Sequence, residues 1–349
     1  MLVAALRDLQ WRRRRFVITA IGTALVFAMS LLLSGLAEAF RDEGRAWIRS
    51  MGADLLVVDA GQAGPLTGFR PIDQARQPEV LAVEGVERVS GFLKSNTTVD
   101  LDGIVDVNVF GVEPDGLGWP ELADGELPTG TGQLVADESL GLRIGDEVRL
   151  VGSTATVTGT TAGSTLNGGI ANLYLPLADA QQLFLGGLAA VTIFLVQGVP
   201  TTELPAGLIG YDADEALTDL LRPLGDARRS IDFVRVLLWI VAACIIGSIV
   251  YLTALERSRD FAVFKAVGTS SASIGAGLAL QAVILALVSA LLAAVLGSLL
   301  APLFPLPVHI PQRAFLALPL VATVVGLLAS LVGLRRAVKV SPSAAFGGP

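Results

Sequence analysis

The chain has 349 residues, of which 52% are apolar and only 16% are charged, and its formal net charge is −7. A soluble domain carries nearer a quarter charged residues, so the composition indicates segments that cross a membrane. Cys244 is the single cysteine, which excludes an intramolecular disulfide. The acidic balance gives no sign of a nucleic-acid partner, and we expect none.

The first apolar run follows a basic N-terminal segment. No charged residue interrupts residues 16–36, which can cross a hydrocarbon core that needs about 20 residues. A cleaved signal peptide is the alternative, because Ala37, Glu38 and Ala39 resemble a small-x-small cleavage site. The run is longer than the roughly 7 to 15 residues of a signal-peptide core, so we expect a retained transmembrane helix.

Residues 37–233 are enough for a large extracytoplasmic domain, and their pattern is mixed α/β. Runs rich in β-branched residues and bounded by Gly, Pro or Asp predict strands at residues 54–58, 105–112, 146–151, 155–161 and 191–196. Helices are predicted at residues 38–51, 178–185 and 212–221. The first would continue from span one, and a helix from Asp226 would enter span two, so we expect stiff connections to the membrane.

No catalytic or metal-binding set is evident in this domain. It contains neither His nor Cys, which removes common metal ligands and the Ser-His and Cys-His nucleophile pairs. Asp100, Asp102 and Asp106 resemble the start of a calcium loop, but the closing Glu is missing, so a solvated turn is expected. Residues 162–169 are glycine-rich and predict a flexible loop. The single histidine, His309, falls in a predicted outer loop, where we expect an interfacial role.

Three more spans are predicted in the C-terminal third. Span two is placed at residues 234–255, of which 236–255 are uncharged, and span three at residues 273–300. Four prolines in residues 301–314 end that helix and form an outer loop. Span four follows at residues 315–334. The predicted fold class is an integral membrane α-helical protein with four transmembrane helices and a mixed α/β extracytoplasmic domain between helices 1 and 2.

Positive charge gives the orientation. Residues 1–15, 256–272 and 335–349 lie on one side of a four-span protein and contain eleven basic and three acidic residues. Because Lys and Arg concentrate in cytoplasmic segments, we expect both termini to be cytoplasmic. Three arginines near the start of span two oppose this assignment but are outnumbered. A preference for Arg over Lys suggests a GC-rich bacterial genome, so we expect a bacterial cytoplasmic (inner) membrane.

The apolar runs contain no Asp, Glu, Lys, Arg or His, which argues against a proton relay or ion pump. Small residues instead recur every fourth position, a spacing that lets helices approach closely within the subunit or across a dimer. They are Ala282, Ala286, Ala290, Ala294 and Ser298 in span three, and Ala322, Gly326 and Ser330 in span four. A GC-rich code that supplies many alanines is an equal alternative.

Residues 256–272 connect spans two and three and predict a short amphipathic cytoplasmic helix that ends near Gly268. Charged and apolar residues alternate along it. The candidate contact residues are Glu256, Arg257, Arg259, Asp260, Phe261, Phe264, Lys265, Ala266 and Gly268.

This segment resembles the Glu-Arg-x-x-Glu-(apolar)-x-(apolar)-x-Lys-Ala-(apolar)-Gly pattern of the FtsX/MacB-like ABC permease family. Asp260 stands where that pattern usually has Glu, and residues 269–273 lack the basic residues that usually follow the glycine. Residues 140–152 and 174–184 resemble the MacB-like periplasmic core domain, and residues 340–346 are similar to the family's Pro-x-x-Ala ending. The order of the spans and the large domain matches that of the family over the whole chain.

The resemblance implies a permease paired with a second copy or a paralogue and with cytoplasmic ABC ATPases, in which the amphipathic segment acts as a coupling helix. The chain has no Gly-x₄-Gly-Lys-Ser/Thr sequence, so we expect no catalytic residue and no cofactor here, with ATP and Mg²⁺ on the ATPase subunit. Membrane lipid and an extracytoplasmic accessory protein are further expected partners.

Three functions fit these features. The first is mechanotransmission, in which ATP-driven movement of the coupling helix reaches the outer domain for export or extraction of a hydrophobic or lipidated substrate, or for control of an envelope enzyme. The second is import or export of a small polar solute such as an amino acid. That function would need a polar path, and spans two to four offer only Ser, Thr, Gln281 and similar groups. The third is a receptor that needs no ATP.

Overall fold

A computed structural model describes residues 13–101, 103–303 and 310–338. The chain divides into two units: one combines the chain up to Ala39 with the chain from Asp226 onward, and the other is Phe40–Gly225. The first unit is helical in its described part and the second is a mixed α/β domain, so the predicted fold class is confirmed. Asp102, His309 and the ending at residues 340–346 lie outside the described residues.

The helices are α1 (Arg13–Ser50), α2 (Gln77–Leu81), α3 (Leu177–Leu185), α4 (Ala213–Leu220), α5 (Gly225–Glu256), α6 (Ser258–Ala266), α7 (Ser271–Leu300) and α8 (Gln312–Val338). Within the described residues, four of them (α1, α5, α7 and α8) are long and apolar enough to cross a membrane. A helix satisfies its own backbone hydrogen bonds, which the hydrocarbon core requires of any spanning segment.

Span one is part of the helical core of its unit. Ala24 and Phe27 of α1 are fully buried in a cluster that also contains Ile246 of α5 and Leu285 of α7. A segment packed in this way is an integral part of the bundle, which favours the retained helix over a cleaved signal peptide.

α8 approaches the backbone of α7 closely at a glycine. A Cβ atom added to Gly326 would lie 2.9 Å from the Cα of Val283 and 3.0 Å from the carbonyl oxygen of Ala282. These are backbone atoms that cannot move aside, so only glycine fits at this crossing. One turn later, Ser330 is buried and donates its hydroxyl proton to the Leu327 carbonyl at 2.6 Å.

The small residues of α7 do not form a straight stripe. On a helix with 3.6 residues per turn, positions four apart rotate by about 40° at each step. Ala286 and Ala290 are therefore buried, whereas Ala294 is only half-buried, and Ala293 and Gly297 take over the buried face.

Substitution of Gly326 by alanine tests the close crossing. We expect Gly326→Ala to lower the thermal unfolding temperature of the detergent-solubilised protein, because overpacking of this kind costs about 1–3 kcal/mol. The matched control is Gly277→Ala on α7, where an added Cβ meets no atom within 4 Å. The control should keep or raise the unfolding temperature, since alanine favours a helix by about 1 kcal/mol over glycine. Equal behaviour of the two variants would contradict the crossing.

The outer unit is built on one mixed sheet and a small separate ladder. The strands are β1 (Leu55–Asp59), β2 (Ile72–Asp73), β3 (Val86–Asp100), β4 (Ile104–Val112), β5 (Asp124–Gly125), β6 (Gln133–Asp137), β7 (Glu147–Leu150), β8 (Ser153–Thr161), β9 (Thr165–Leu166), β10 (Ile170–Pro176), β11 (Ala190–Val191), β12 (Ile193–Gly198) and β13 (Leu208–Tyr211). The large sheet has the order β13-β1-β12-β3-β4-β10-β6-β8-β5, with β7 beside β8 and β9 beside β10, and β2 pairs with β11. The pairs β4–β10 and β6–β8 are parallel, and the other ladders are antiparallel.

All five predicted strands are present. Among the strands that the sequence did not predict, β3, β6 and β10 are the longest. The centre of β3, at residues 89–93, is buried on both faces and includes Ser90 and Gly91. An apolar alternation cannot appear where both faces are covered, so the strand gives no period-two signal.

An aromatic cluster joins the end of α1 to the sheet. The ring centroid of Trp47 on α1 lies 4.9 Å from that of Phe110, which in turn lies 5.6 Å from Phe92 and 5.2 Å from Tyr174. Contacts of this geometry add to the burial of apolar area, so α1 is held firmly against this face of the sheet.

The glycine-rich loop is held by a carboxylate of α1. Glu43 accepts hydrogen bonds from the Thr165 hydroxyl at 2.6 Å and from the backbone N–H groups of Gly168 and Gly169 at 2.8 and 2.9 Å. Both glycines have positive φ angles, which aim two successive N–H groups at one carboxylate. Residues 162–169 therefore include the short strand β9 and an anchored turn, which the sequence did not predict, because the anchor is a part-buried contact 122 residues away along the chain.

Removal of this charge should release the loop. In Glu43→Gln the side chain keeps its size but loses one acceptor oxygen and the charge that strengthens the remaining bonds. We expect the amides of Gly168 and Gly169 to exchange with deuterium about tenfold faster or more, since each charge-assisted bond contributes about 1.5–3 kcal/mol. The control is Glu121→Gln at an exposed glutamate of the same domain. Unchanged exchange in Glu43→Gln would refute the anchor.

Candidate functional site

The outer domain has buried polar groups, but their hydrogen bonds hold parts of the domain together. Asp219 is buried and accepts hydrogen bonds from the backbone N–H groups of Leu66 and Thr67 at 2.8 and 2.9 Å. Burial lowers the pKa of Lys94, although the negative charge of Asp219 acts to raise it. Burial raises the pKa of the Tyr174 hydroxyl. Among the described residues, no group of three or more His, Cys, Asp or Glu side chains could hold a metal ion. The candidate site therefore lies elsewhere, on α6.

α6 begins after a turn at the end of α5. α5 ends at Glu256, and Arg257 (φ −99°, ψ 14°) departs from helical geometry before α6 starts at Ser258. The guanidinium group of Arg15 on α1 lies 3.0 Å from the Glu256 carboxylate, so the start of α1 contacts the end of α5. This ion pair is partly exposed and contributes at most about 1 kcal/mol.

The end of α6 is a glycine-dependent cap. Gly268 has φ +96°, the Thr269 N–H bonds to the Phe264 carbonyl at 2.9 Å, and the Gly268 N–H bonds to the Lys265 carbonyl at 3.0 Å. This pair of bonds is the Schellman motif, which strongly prefers glycine at the position with positive φ. Ser270 then caps α7 by accepting the Ser273 N–H, so a short turn fixes α6 to the next helix.

One side of α6 anchors it in the bundle. Phe261 and Ala262 are buried, and Phe261 belongs to the same core cluster as Phe27 of α1. The guanidinium carbon of Arg257 lies 5.6 Å from the centroid of the Phe261 ring, a cation–π distance. α6 is thus held by apolar burial on one side only.

The opposite side of α6 is exposed and largely apolar. Asp260, Val263, Phe264 and Val267 share it, since they follow the i, i+3, i+4, i+7 spacing of one helix face. Val263 is 51%, Phe264 38% and Val267 81% exposed. We call these four residues the α6 face. Arg259, Ala266 and Gly268 are exposed at its edges.

Comparison with known proteins identifies the family. The model of the FtsX-like permease C-terminal region matches residues 233–342, and that of the MacB-like periplasmic core domain matches residues 16–205, more than half of the chain. The chain belongs to the FtsX/MacB family of ABC transporter permeases.

Relatives of this permease include full-length matches. An uncharacterized ABC transporter permease of Mycobacterium tuberculosis is 46% identical over 355 residues, covering 100% of both chains. A permease of Staphylococcus epidermidis named for hemin transport is 20% identical over 99% of both chains. The solved periplasmic region of MacB from Actinobacillus actinomycetemcomitans covers 50% of this chain and 96% of that region, with 15% identity and a TM-score of 0.37.

The four apolar helices and the family place this permease in a bacterial inner membrane. The structure divides the nine candidate contact residues of the permease by position. Glu256 and Phe261 contact the rest of the bundle, Arg257 lies over the Phe261 ring, and Lys265 is half-buried. Arg259, Asp260, Phe264, Ala266 and Gly268 are exposed.

The sequence analysis did not select Val263 and Val267, although they are the most exposed apolar side chains of the segment. The signal was available, because Asp260 and Phe264 define a helix face and the 3.6-residue period places both valines on it. Alternation of charged and apolar residues alone did not separate the anchored side from the exposed side.

Two truncations on α6 should separate its anchor from its exposed face. Phe261→Ala should markedly lower the thermal stability of the permease in detergent, because loss of a buried Phe side chain costs about 3–5 kcal/mol. Val263→Ala, two positions away, should change stability by less than about 0.5 kcal/mol, as exposed substitutions do. A destabilisation by Val263→Ala as large as that by Phe261→Ala would reverse the assignment of the two sides.

Proposed function

We propose that this permease couples ATP hydrolysis on a separate cytoplasmic ABC ATPase to movement of its extracytoplasmic domain. The α6 face carries this proposal. It presents Val263, Phe264 and Val267 on a nine-residue helix whose other side is fixed in the bundle by Phe261. A contiguous apolar patch bordered by charged residues is typical of a protein interaction surface.

The position of this face in the chain supports a cytoplasmic partner. α6 lies between two membrane helices, and in the proposed orientation residues 256–272 share the cytoplasmic side with the arginine-rich start of the chain. Burial of the three apolar side chains against an ATPase would provide the affinity. The charges of Arg259 and Asp260 at the rim would contribute specificity and orientation.

Two long helices provide a path for the movement. α5 runs from Gly225 to Glu256 without a break, so a displacement of α6 acts directly on its C-terminal end. α1 runs from Arg13 to Ser50, and its last turns carry Glu43 and Trp47, which hold the outer-domain sheet and its glycine-rich loop. A hydrogen-bonded helix transmits displacement better than a flexible linker does.

The substrate class we propose is hydrophobic or amphipathic, handled by export, extraction or mechanical control at the envelope. The apolar runs of the four spans contain no Asp, Glu, Lys, Arg or His, so a small polar solute such as an amino acid would find no charged partner along them. A relative named for hemin transport, at 20% identity, is consistent with an amphipathic substrate. We further propose a second permease copy or paralogue in the complex, with ATP and Mg²⁺ bound only by the ATPase.

ATPase stimulation in lipid nanodiscs tests the coupling. The permease is reconstituted with a candidate ABC ATPase from the same organism, and ATP turnover is compared for wild type and for Val263→Asp with Val267→Asp. We expect at least about a tenfold loss of stimulation, because two charges on the docking patch would be buried without partners.

The matched control is Val199→Asp, an exposed valine of the outer domain that is 73% exposed. It should leave stimulation unchanged. A further charge reversal, Arg259→Glu with Lys265→Glu, should also weaken stimulation without unfolding the outer domain. Full stimulation in the double-valine variant, with normal thermal stability, would refute the α6 face as the docking site.

A further inference from the structure

A groove with apolar walls lies between α5 and α8. Its volume is about 370 Å³, and its exposed lining reaches along roughly two turns of each helix. The side chains that form its walls include Val236, Ile240 and Ala243 of α5 and Leu320, Val324 and Leu328 of α8. Its dimensions suit one hydrocarbon chain lying between the two helices.

The floor of this groove is fixed from two directions. The indole Nε1–H of Trp239 donates a hydrogen bond to the Ser30 hydroxyl on α1 at 3.0 Å. The guanidinium carbon of Arg235 lies 5.7 Å from the centroid of the same indole ring. Trp239 is therefore held in one orientation, and the groove is a built feature of the bundle.

A cationic group stands at one end of the apolar walls. Arg235 precedes Trp239 by one helical turn, and its Nη1 group lies 3.0 Å from the Asp232 carboxylate, while its Nε atom has no hydrogen-bond partner. Arg228 lies on the same side of α5, two turns earlier. Arg228 and Arg235 thus place two guanidinium groups at this end of the groove, next to the carboxylate of Asp232.

We propose that the groove binds an anionic phospholipid of the bilayer, with one acyl chain between α5 and α8 and the headgroup phosphate at Arg235. An acyl chain gains little by moving from bulk lipid into an apolar groove, because both surroundings are equally apolar. Selective occupancy must therefore come from the headgroup. Arginine is suited to this contact because its planar guanidinium group pairs with phosphate oxygens.

A second copy of the chain is a less favourable occupant. In a two-fold symmetric interface the same patch occurs on both subunits. Contact through this groove would then bring the arginines of one α5 towards those of the other. An anionic headgroup brings further negative charge to this end of the groove, beside Asp232, without adding arginines.

Fluorescence quenching by brominated lipids tests the proposal without nucleotide or ATPase, so its outcome is independent of the coupling function. The full chain with Trp11→Phe is placed in nanodiscs that contain phosphatidylcholine and a small fraction of brominated phosphatidylglycerol or brominated phosphatidylcholine. We expect the brominated anionic lipid to associate with Trp239 about fivefold more strongly, the preference that one arginine gives near an anionic headgroup.

Three variants locate the effect. Arg235→Gln should remove the preference for the anionic lipid, and Ala243→Leu, which fills the groove, should weaken quenching by both lipids. Arg229→Gln makes the same change of charge about 9 Å further along α5 and on another side of the helix. Arg229 pairs with Asp226 as Arg235 pairs with Asp232, and the variant should retain the preference.

Two results would overturn the proposal. The first is equal quenching of the wild type by the two brominated lipids. The second is loss of permease dimers in Ala243→Leu with an unchanged lipid preference, which would assign the groove to a second copy. Thermal unfolding of each variant verifies that the bundle remains folded.

Discussion

The hydrocarbon core of the membrane imposes the constraint on which this structure depends. A spanning segment must satisfy its backbone hydrogen bonds internally. Because the apolar runs contain no Asp, Glu, Lys, Arg or His, the membrane helices have few means of attraction beyond close packing. The bundle accordingly relies on small residues at its crossings, as at Gly326, whose Cα leaves no room for a side chain beside Val283. The same constraint directs the polar and charged contacts to the ends of the helices, as between Arg15 and Glu256 and between Arg313 and Glu38.

The outer domain follows the rules of a water-soluble protein, and it uses the end of α1 as part of its own structure. Trp47 joins the aromatic cluster over the sheet, and Glu43 binds the loop that contains Gly168. A membrane helix thereby supplies both apolar area and a charged acceptor to the α/β fold.

α6 shows how a short helix can be held in place while one of its sides stays exposed. A nine-residue helix is marginal in isolation, and here Phe261, the cap at Gly268 and the turn before α7 hold it in place. Because these contacts use one side, the other side is free to present Val263, Phe264 and Val267. The anchored and the exposed residues are thus divided between two faces of one helix. In the function we propose, a force on the exposed face acts on the end of α5.

The sequence by itself determined the membrane class, the four apolar helices, the position of the α/β domain and the end of the amphipathic segment at Gly268. These features are local, since each depends on uninterrupted apolar length, on helix breakers or on a short motif. Tertiary structure alone decided that β3 is a central strand, that Glu43 anchors the glycine-rich loop, that Phe261 turns inward while Val263 and Val267 turn outward, and that Ala293 replaces Ala294 on the buried face of α7. Each of these depends on what another part of the chain places beside the residue, and a partner distant in sequence leaves no local pattern to read.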